Sequence, residues 1–451
     1  MASTTKPLVL IGCTPIYGHV SPIRAIAKGL ISKGYEVTFV SSSHWRKIVE
    51  EIGASYVSIE GYGDYYEAEL ESRWPERFKL PPGPIQLKYD IENTFIKCIP
   101  SQHEAMQVAL KQLKEQHPDR PIIQLSEAAF FGALPVVNGA GSVKPEATLG
   151  VGIIPMTLSS VDLAPFGPGI PPDSSPEGLK RNKAMAAGFQ QAFTETESLF
   201  ASQFEIVGAK KPSHSLFDAP YLSPDRFVQM CIPSAEYPRS DALSTIRFAG
   251  GLPKGDYDPL AAKQLTWWDE VANNNGKKKI VGVSQGSLAL DYTELIIPTL
   301  EAFKDRKDIL VVVALGSKDA KLPEGTPIPP NARVADWIPF DDLLPNSEVF
   351  ISNGGYGAFQ HAIKNGTPLI VAGDSEDKPE TATRAEFCGI GVNLRTGKPT
   401  PEALRNAVDE ILSNPKYKTR GKELEAEMAT FDPISVVAQQ IDELAAGHHL
   451  S

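Results

Sequence analysis

His19 and Glu127 are the side chains whose type and setting best suit proton transfer. His19 stands in Gly18-His19-Val20-Ser21-Pro22, just after the apolar run Leu8 to Gly12 and the loop that follows it. An imidazole with an ordinary pKa of about 6.5 takes a proton from a hydroxyl and gives it up again near neutral pH, which is general-base work. The same place also suits a histidine that only hydrogen-bonds to backbone at a helix start. Such a base gains from a carboxylate that fixes its tautomer and stabilises the imidazolium. Glu127, following Ile122-Ile123-Gln124-Leu125 at the end of a predicted strand, is the candidate, and a solvated loop glutamate is the alternative.

A different chemistry is written into residues 350–378. Val349, Phe350 and Ile351 lead into Asn353-Gly354-Gly355-Tyr356-Gly357-Ala358, and helical spacing then runs to Asn365-Gly366. Glycines strip away the side chains that would hold an anion off, and the amides and positive dipole end of a helix N-terminus attract phosphate. An ordinary strand-to-helix turn is the alternative. Ser284-Gln285-Gly286-Ser287 offers a second glycine turn with hydroxyls at another predicted strand end, so the two loops together can grip two phosphates. Trp337, in Asp336-Trp337-Ile338-Pro339, presents either an indole for stacking on a nucleobase or a core side chain. Asp256-Tyr257-Asp258 has the D-x-D spacing of metal-dependent sugar transferases but sits beside Pro259 and reads as a turn; no other cluster has metal-ligand spacing. The loop Gly12 to Gly18 does not spell G-x-G-x-x-G, which counts against a dinucleotide dehydrogenase.

These residues need a scaffold that brings strand ends together. Leu8 to Gly12, helical spacing over Ile23 to Lys33, and Val37 to Val40 make a βαβ opening. Continuous apolar runs, such as Leu8-Val9-Leu10-Ile11 and Gly150 to Ile154, fit strands buried on both faces of a parallel sheet. A second regular series follows the Pro/Gly-rich passage Phe248 to Pro259. It has strands expected at Ile280 to Ser284, Ile309 to Ala314, Val349 to Ile351 and Pro368 to Val371, and helices around Tyr292 to Lys304, Ala358 to Lys364 and Glu402 to Leu412. Between Gly61 and Gln102, and between Leu158 and Met230, the pattern is irregular and rich in aromatics and proline, as in insertions that carry specificity. Lys422 to Leu444 reads as amphipathic helix broken near Asp432-Pro433.

With 44 Lys plus Arg against 55 Asp plus Glu, the net charge is -11, and no dense basic cluster extends beyond Lys277 to Lys279; nucleic acid and anionic membranes are therefore not expected partners. No apolar run approaches a membrane span, and the N-terminus lacks a secretory pattern, so no transmembrane segment and a cytoplasmic location are expected. Cys13, Cys98, Cys231 and Cys388 are scattered and fit reduced thiols.

Taken in order, GHVSP, VSQGS, DWIP, the NGGYG loop and the EDK segment resemble the UDP-dependent glycosyltransferases of family 1, in the macrolide-glycosyltransferase-like branch of bacteria and fungi. The resemblance runs through nearly the whole chain. It implies an α/β chain of GT-B architecture: two Rossmann-like, doubly wound domains facing across a cleft, with the last helix crossing back to the first domain. The expected division is 1–247 for the acceptor, a linker at 248–259, 260–421 for the nucleotide sugar, and 422–451 as helices packing back on the first domain.

By the same resemblance His19 matches the general base and Glu127 falls near its acidic partner. Ser287 matches a phosphate-contacting serine, Trp337 the indole stacked on uracil with Ile338 beside it, and Gly355 the loop glycine at the diphosphate, flanked by Gly354, Gly357 and Ala358. Asp377 aligns with the acidic residue that binds sugar hydroxyls. Asn353 departs from the histidine of many relatives, His361 from the ribose-binding glutamate, and Lys378 from the glutamine that follows the acidic sugar contact; Phe340 replaces another glutamine.

The expected activity is inverting transfer from a UDP-sugar, with UDP-glucose the expected donor, to a hydroxyl of a small apolar acceptor, with no bound cofactor and no metal. Ile16, Tyr62 and Phe130 are expected at the acceptor, and Tyr65, Trp74, Phe78 and Phe131 are further candidates for its walls. The departures keep two alternatives open, a nucleotide-sugar-binding protein of low activity and a GT-B-fold epimerase; a nicotinamide oxidoreductase is the remaining one at the level of the fold.

Overall fold

A computed structural model describes residues 6–81, 83–253, 261–286 and 289–447. Asp256-Tyr257-Asp258, the second half of the expected linker and Ser287 lie outside the described residues.

The first half carries β1 (Leu8–Gly12), β2 (Glu36–Ser42), β3 (Ser55–Ile59), β4 (Ile122–Glu127), β5 (Ala147–Gly152), β6 (Arg226–Gln229) and β7 (Ile246–Phe248). The second carries β8 (Lys279–Ser284), β9 (Ile309–Ala314), β10 (Ala332–Ala335), β11 (Val349–Ser352), β12 (Leu369–Val371) and β13 (Gly391–Asn393). Their orders are β3-β2-β1-β4-β5-β6-β7 and β10-β9-β8-β11-β12-β13, with every pairing parallel. The fold is therefore α/β with two Rossmann-like sheets.

In each sheet the chain starts in the middle, runs to one edge, and returns to the other side of its first strand. The reversal opens a crevice at the carboxyl ends of β1 and β4, and another at those of β8 and β11. The central strands are buried along their whole length, which explains the Val, Ile and Leu that dominate them.

The last helix, Pro433–Ala445, lays Val437, Ile441 and Leu444 into the core of the first sheet. Tyr35 donates a 2.7 Å hydrogen bond to Asp442, and the buried Arg226 binds Gln440 and Glu443. Contact with the first half starts just before this helix, where Glu427 accepts the Ser234 N–H at 3.2 Å and Phe431 lies against Gly250. The preceding helix, Pro415–Met428, keeps Tyr417 and Leu424 in the cores of the second sheet, and its Gly421 lies against the Gly366 carbonyl.

The stretch expected to be irregular, Leu158 to Met230, holds helices Pro176–Ala192 and Thr194–Ile206. Their Ala, Gln and Glu favour helix intrinsically. The first buries only Gly178 and Asn182, so it leaves little apolar periodicity to read.

Candidate active site

β1 ends in a loop that turns into the helix Tyr17–Ser32, and β4 ends at Glu127, so their shared crevice receives both side chains. Glu127 is only 1% exposed. Its Oε1 accepts the Thr14 N–H at 3.1 Å and its Oε2 the Ala129 N–H at 2.7 Å. The carboxylate thus pins the loop that carries His19. His19 Nδ1 lies 3.2 Å from Glu127 Oε2, with the ring turned out of ideal hydrogen-bond alignment.

Burial by itself would lower the His19 pKa, but the charge and contact of Glu127, helped by Asp377 from the second half, turn the net shift upward. For Glu127, burial pushes up, and the charge of His19 with the hydrogen bonds pushes down further, leaving it an anion below the usual carboxylate range. The pair can hold a proton on Nδ1 and leave Nε2 to take another.

The second crevice is furnished mainly with backbone. Gly286 (φ 78°) and Gly354 (φ 92°) hold the left-handed conformation that side chains disfavour. A Cβ on Gly354 would also lie 2.7 Å from Val371, whereas one on Gly355 or Gly357 would meet open space. Gly355 caps the helix Tyr356–Lys364 without a side-chain hydrogen bond, which leaves first-turn amides for an anion.

Asn353 is partly engaged: its Nδ2 donates to the Gln285 carbonyl, so it ties the β8 loop to the β11 loop. Trp337 is 38% exposed, as a stacking platform requires. The Ile338 side chain sits instead in the core of the second sheet, 2% exposed, which leaves only its backbone to face a ligand. Ala358 is half-buried in the first turn of the Tyr356–Lys364 helix. His361 Nδ1 is 2.9 Å from Asp341, which also binds Lys364 at 2.7 Å.

Asp377 caps the helix Lys378–Phe387; burial and the Glu376 charge raise its pKa against the pull of Lys378. Lys378 binds Ser375 and Glu376, and Glu376 lies 3.7 Å from Arg77, which grips Asp90 at 2.7 and 3.0 Å. This charged chain links the two halves. Nothing in the local sequence around Arg77 signalled it, because its partner lies in the other half.

The expected acceptor residues scatter. Phe130 is 1% exposed and lies flat on Gly12, where a Cβ would come within 2.4 Å of the ring; it belongs to the core with Leu10 and Met106, a correction to its expected role. Tyr62 is exposed and accepts from Trp74 Nε1, and Ile16 packs beside the buried Tyr65 and Trp74. A cavity of about 480 Å³ opens elsewhere, lined by Phe166, Phe189, Phe193, Phe200, Phe217 and Tyr237 together with Glu380 and Arg384. Phe200 joins it to His19 through Phe131 and Phe95, with ring centroids 5.7, 6.3 and 6.4 Å apart in turn. Among the described residues no group of three or more His, Cys, Asp or Glu is arranged to hold a metal ion, and no helix is long and apolar enough to cross a membrane.

Residues 301–444 match the family model of the erythromycin biosynthesis protein CIII-like C-terminal domain. UDP-glycosyltransferase 2 of Phaeomoniella chlamydospora is 40% identical over 99% of this chain and 97% of its own length. UDP-glucosyltransferase A1 of Starmerella bombicola is 34% identical over 98% and 94%. The crystal structure of the glycotransferase of kitacinnamycin superposes with a TM-score of 0.70 at 19% identity, covering 97% of this chain and 99% of that one, which identifies the two-sheet arrangement as GT-B. Identity at this level along nearly the full length of both chains means that the protein belongs to the family 1 UDP-dependent glycosyltransferases and is a hexosyltransferase that uses a UDP-sugar as co-substrate.

Proposed function

We propose that this enzyme moves a sugar, glucose in the first instance, from its UDP-sugar to a hydroxyl of a small, largely apolar acceptor, with inversion at the anomeric carbon and His19 as general base. The observation that carries the reading is the buried Glu127 carboxylate 3.2 Å from His19 Nδ1, with the charge of Asp377 from the other half also felt at the imidazole. His19 Nε2 accepts the acceptor proton. The acceptor oxygen attacks C1 from the face opposite UDP, and the C1–O bond breaks with its electron pair leaving on the diphosphate. Glu127 stabilises the imidazolium that forms.

Amides at the start of the Tyr356–Lys364 helix receive the charge developing on UDP. Preorganised donors of this kind are each worth about 3 kcal/mol, so we propose that transfer needs no metal. Asp377 is assigned to the sugar hydroxyls and Trp337 to the uracil face. One half-reaction panel tests the whole reading: mass spectrometry of UDP-glucose and other UDP-sugars with phenols, flavonoids, sterols, macrolides and hydroxylated lipids, with and without EDTA. A hexose adduct, insensitive to EDTA and lost in His19→Ala, is expected. Tight UDP-sugar binding with no adduct from any acceptor would move the assignment to a binding protein or an epimerase.

A further inference from the structure

The Lys378–Phe387 helix touches two places that the proposed reaction must use together. At its start, the Asp377 charge is felt by His19, and Lys378 packs on the phosphate loop, its Cβ 3.4 Å from where a Cβ of Gly354 would stand. One turn further on, Glu380 and Arg384 reach the first half and line the aromatic cavity.

Glu380 is buried there. Its Oε1 accepts the backbone N–H groups of Gly167 (2.8 Å) and Gly169 (3.0 Å), and its Oε2 accepts from Arg384 at 2.9 Å. Thr383 adds a 2.7 Å hydrogen bond to the Gly169 carbonyl. Gly169 has φ 60°, and a Cβ on it would strike the Pro379 carbonyl at 2.4 Å, so the loop lies directly on the helix start. The same loop carries Phe166 into the cavity wall. Wall, loop and helix are thus joined by direct hydrogen bonds and close backbone contact.

The cavity itself indicates what fills it. Phe189 stacks on Phe193 at 4.4 Å, and Phe217 meets them at 5.2 and 5.4 Å; all three stay half-buried, with ring surface toward the space. Aromatic rings in this arrangement favour another flat ring system. The carboxylates around it are already engaged, Asp218 with Ser159 and Ser215, Glu197 with the Leu216 N–H, and Glu380 as described, so a cationic ligand is not favoured. Tyr237 lines the cavity with its ring, edge-on to Phe387, while its hydroxyl is buried away from the space.

We propose that Glu380 is a positioning residue that couples this cavity to the donor site: a flat, hydroxylated aromatic acceptor seated on the phenylalanines holds the 164–170 loop, and through Glu380 the Lys378–Phe387 helix, in the arrangement that binds UDP best. The inference rests on the reading that this helix start faces the donor.

The test is equilibrium binding of a trihydroxyflavone with and without saturating UDP, which needs no turnover. In the wild type UDP is expected to tighten the flavone about fivefold or more, and the flavone to tighten UDP by the same factor, as reciprocity demands. In Glu380→Gln that factor falls toward one whatever the separate affinities become, whereas simple destabilisation would weaken both ligands and leave the factor alone. Thr383→Val, which removes one bond of the same clamp without disturbing a buried charge, lowers the factor part of the way and serves if Glu380→Gln does not fold. No flavone binding to the wild type, a wild-type factor of one, or an unchanged factor in the variants overturns the proposal. His19→Ala separates it from the base assignment: lost turnover with intact coupling supports both, and retained turnover removes the base while leaving the coupling to stand.

Discussion

At the reversal point of the first sheet, β1 and β4 deliver ionisable side chains: a buried carboxylate that holds its neighbour's loop by two amides and faces an imidazole. At the same point of the second sheet, β8 and β11 deliver mostly bare backbone, two left-handed glycines and an uncapped helix start. One topology thus supports two kinds of chemistry. A proton must be moved on one side, which needs groups that titrate; a diphosphate must be held on the other, which needs fixed dipoles that do not. The contrast has consequences for what a single side chain is worth on each side.

His19→Ala tests it most severely. If the first crevice works through its side chains, kcat/KM falls by about 10²- to 10⁴-fold while calorimetric UDP affinity stays within about twofold. Wild-type turnover would break the comparison outright. Glu127→Gln sharpens it through pH. The wild-type rate falls as pH drops through the His19 pKa, because the protonated ring cannot accept; Glu127 raises that pKa, so its removal lets burial pull it down. The acid limb of the kcat/KM profile should move to lower pH, with a lower plateau. A limb that stays in place would mean that the carboxylate only ties down the loop through Thr14 and Ala129.

On the donor side the largest expected single effect belongs to Trp337, whose exposed indole offers area that no backbone group replaces. Trp337→Ala should weaken UDP by ~1–3 kcal/mol, read by calorimetry, with kcat at saturating donor nearly unchanged. Unaltered affinity would make the indole a structural residue.

How far these places could be read from the sequence follows from how local their signals are. Gly354, Gly355 and Gly357 sit within a few residues of the strand and helix they join, so the phosphate loop is visible in a short window. His19 and Glu127 are legible only as two separate strand ends, and their meeting depends on β1 and β4 being parallel neighbours. Phe130 looked like a pocket wall because aromatic loop residues often are; it is core because Gly12, far off in sequence, makes room for its ring. The Arg77–Glu376 contact and the Glu380 clamp pair residues of opposite halves, where no periodicity or spacing carries information. Conversely the helix at 176–192 leaves no apolar signal in the sequence because it buries only Gly178 and Asn182.

Asn353 gives the smallest effect and the finest discrimination. It aligns with a histidine of many relatives, and the first expectation is direct donation to the diphosphate. In the structure its Nδ2 donates to the Gln285 carbonyl, so part of its work is to hold the two phosphate loops together. Losing one such bond costs about 0.5–1.5 kcal/mol, which predicts a roughly two- to tenfold rise in KM for the UDP-sugar in Asn353→Ala with little change in kcat. Asn353→Asp divides the two roles. A carboxylate can neither donate to Gln285 nor tolerate a neighbouring diphosphate, so if the side chain also faces phosphate, Asp should be far more damaging than Ala, and more so at low ionic strength. Equal effects would make Asn353 a tether alone and leave the diphosphate to the backbone, the stronger form of the contrast between the two crevices.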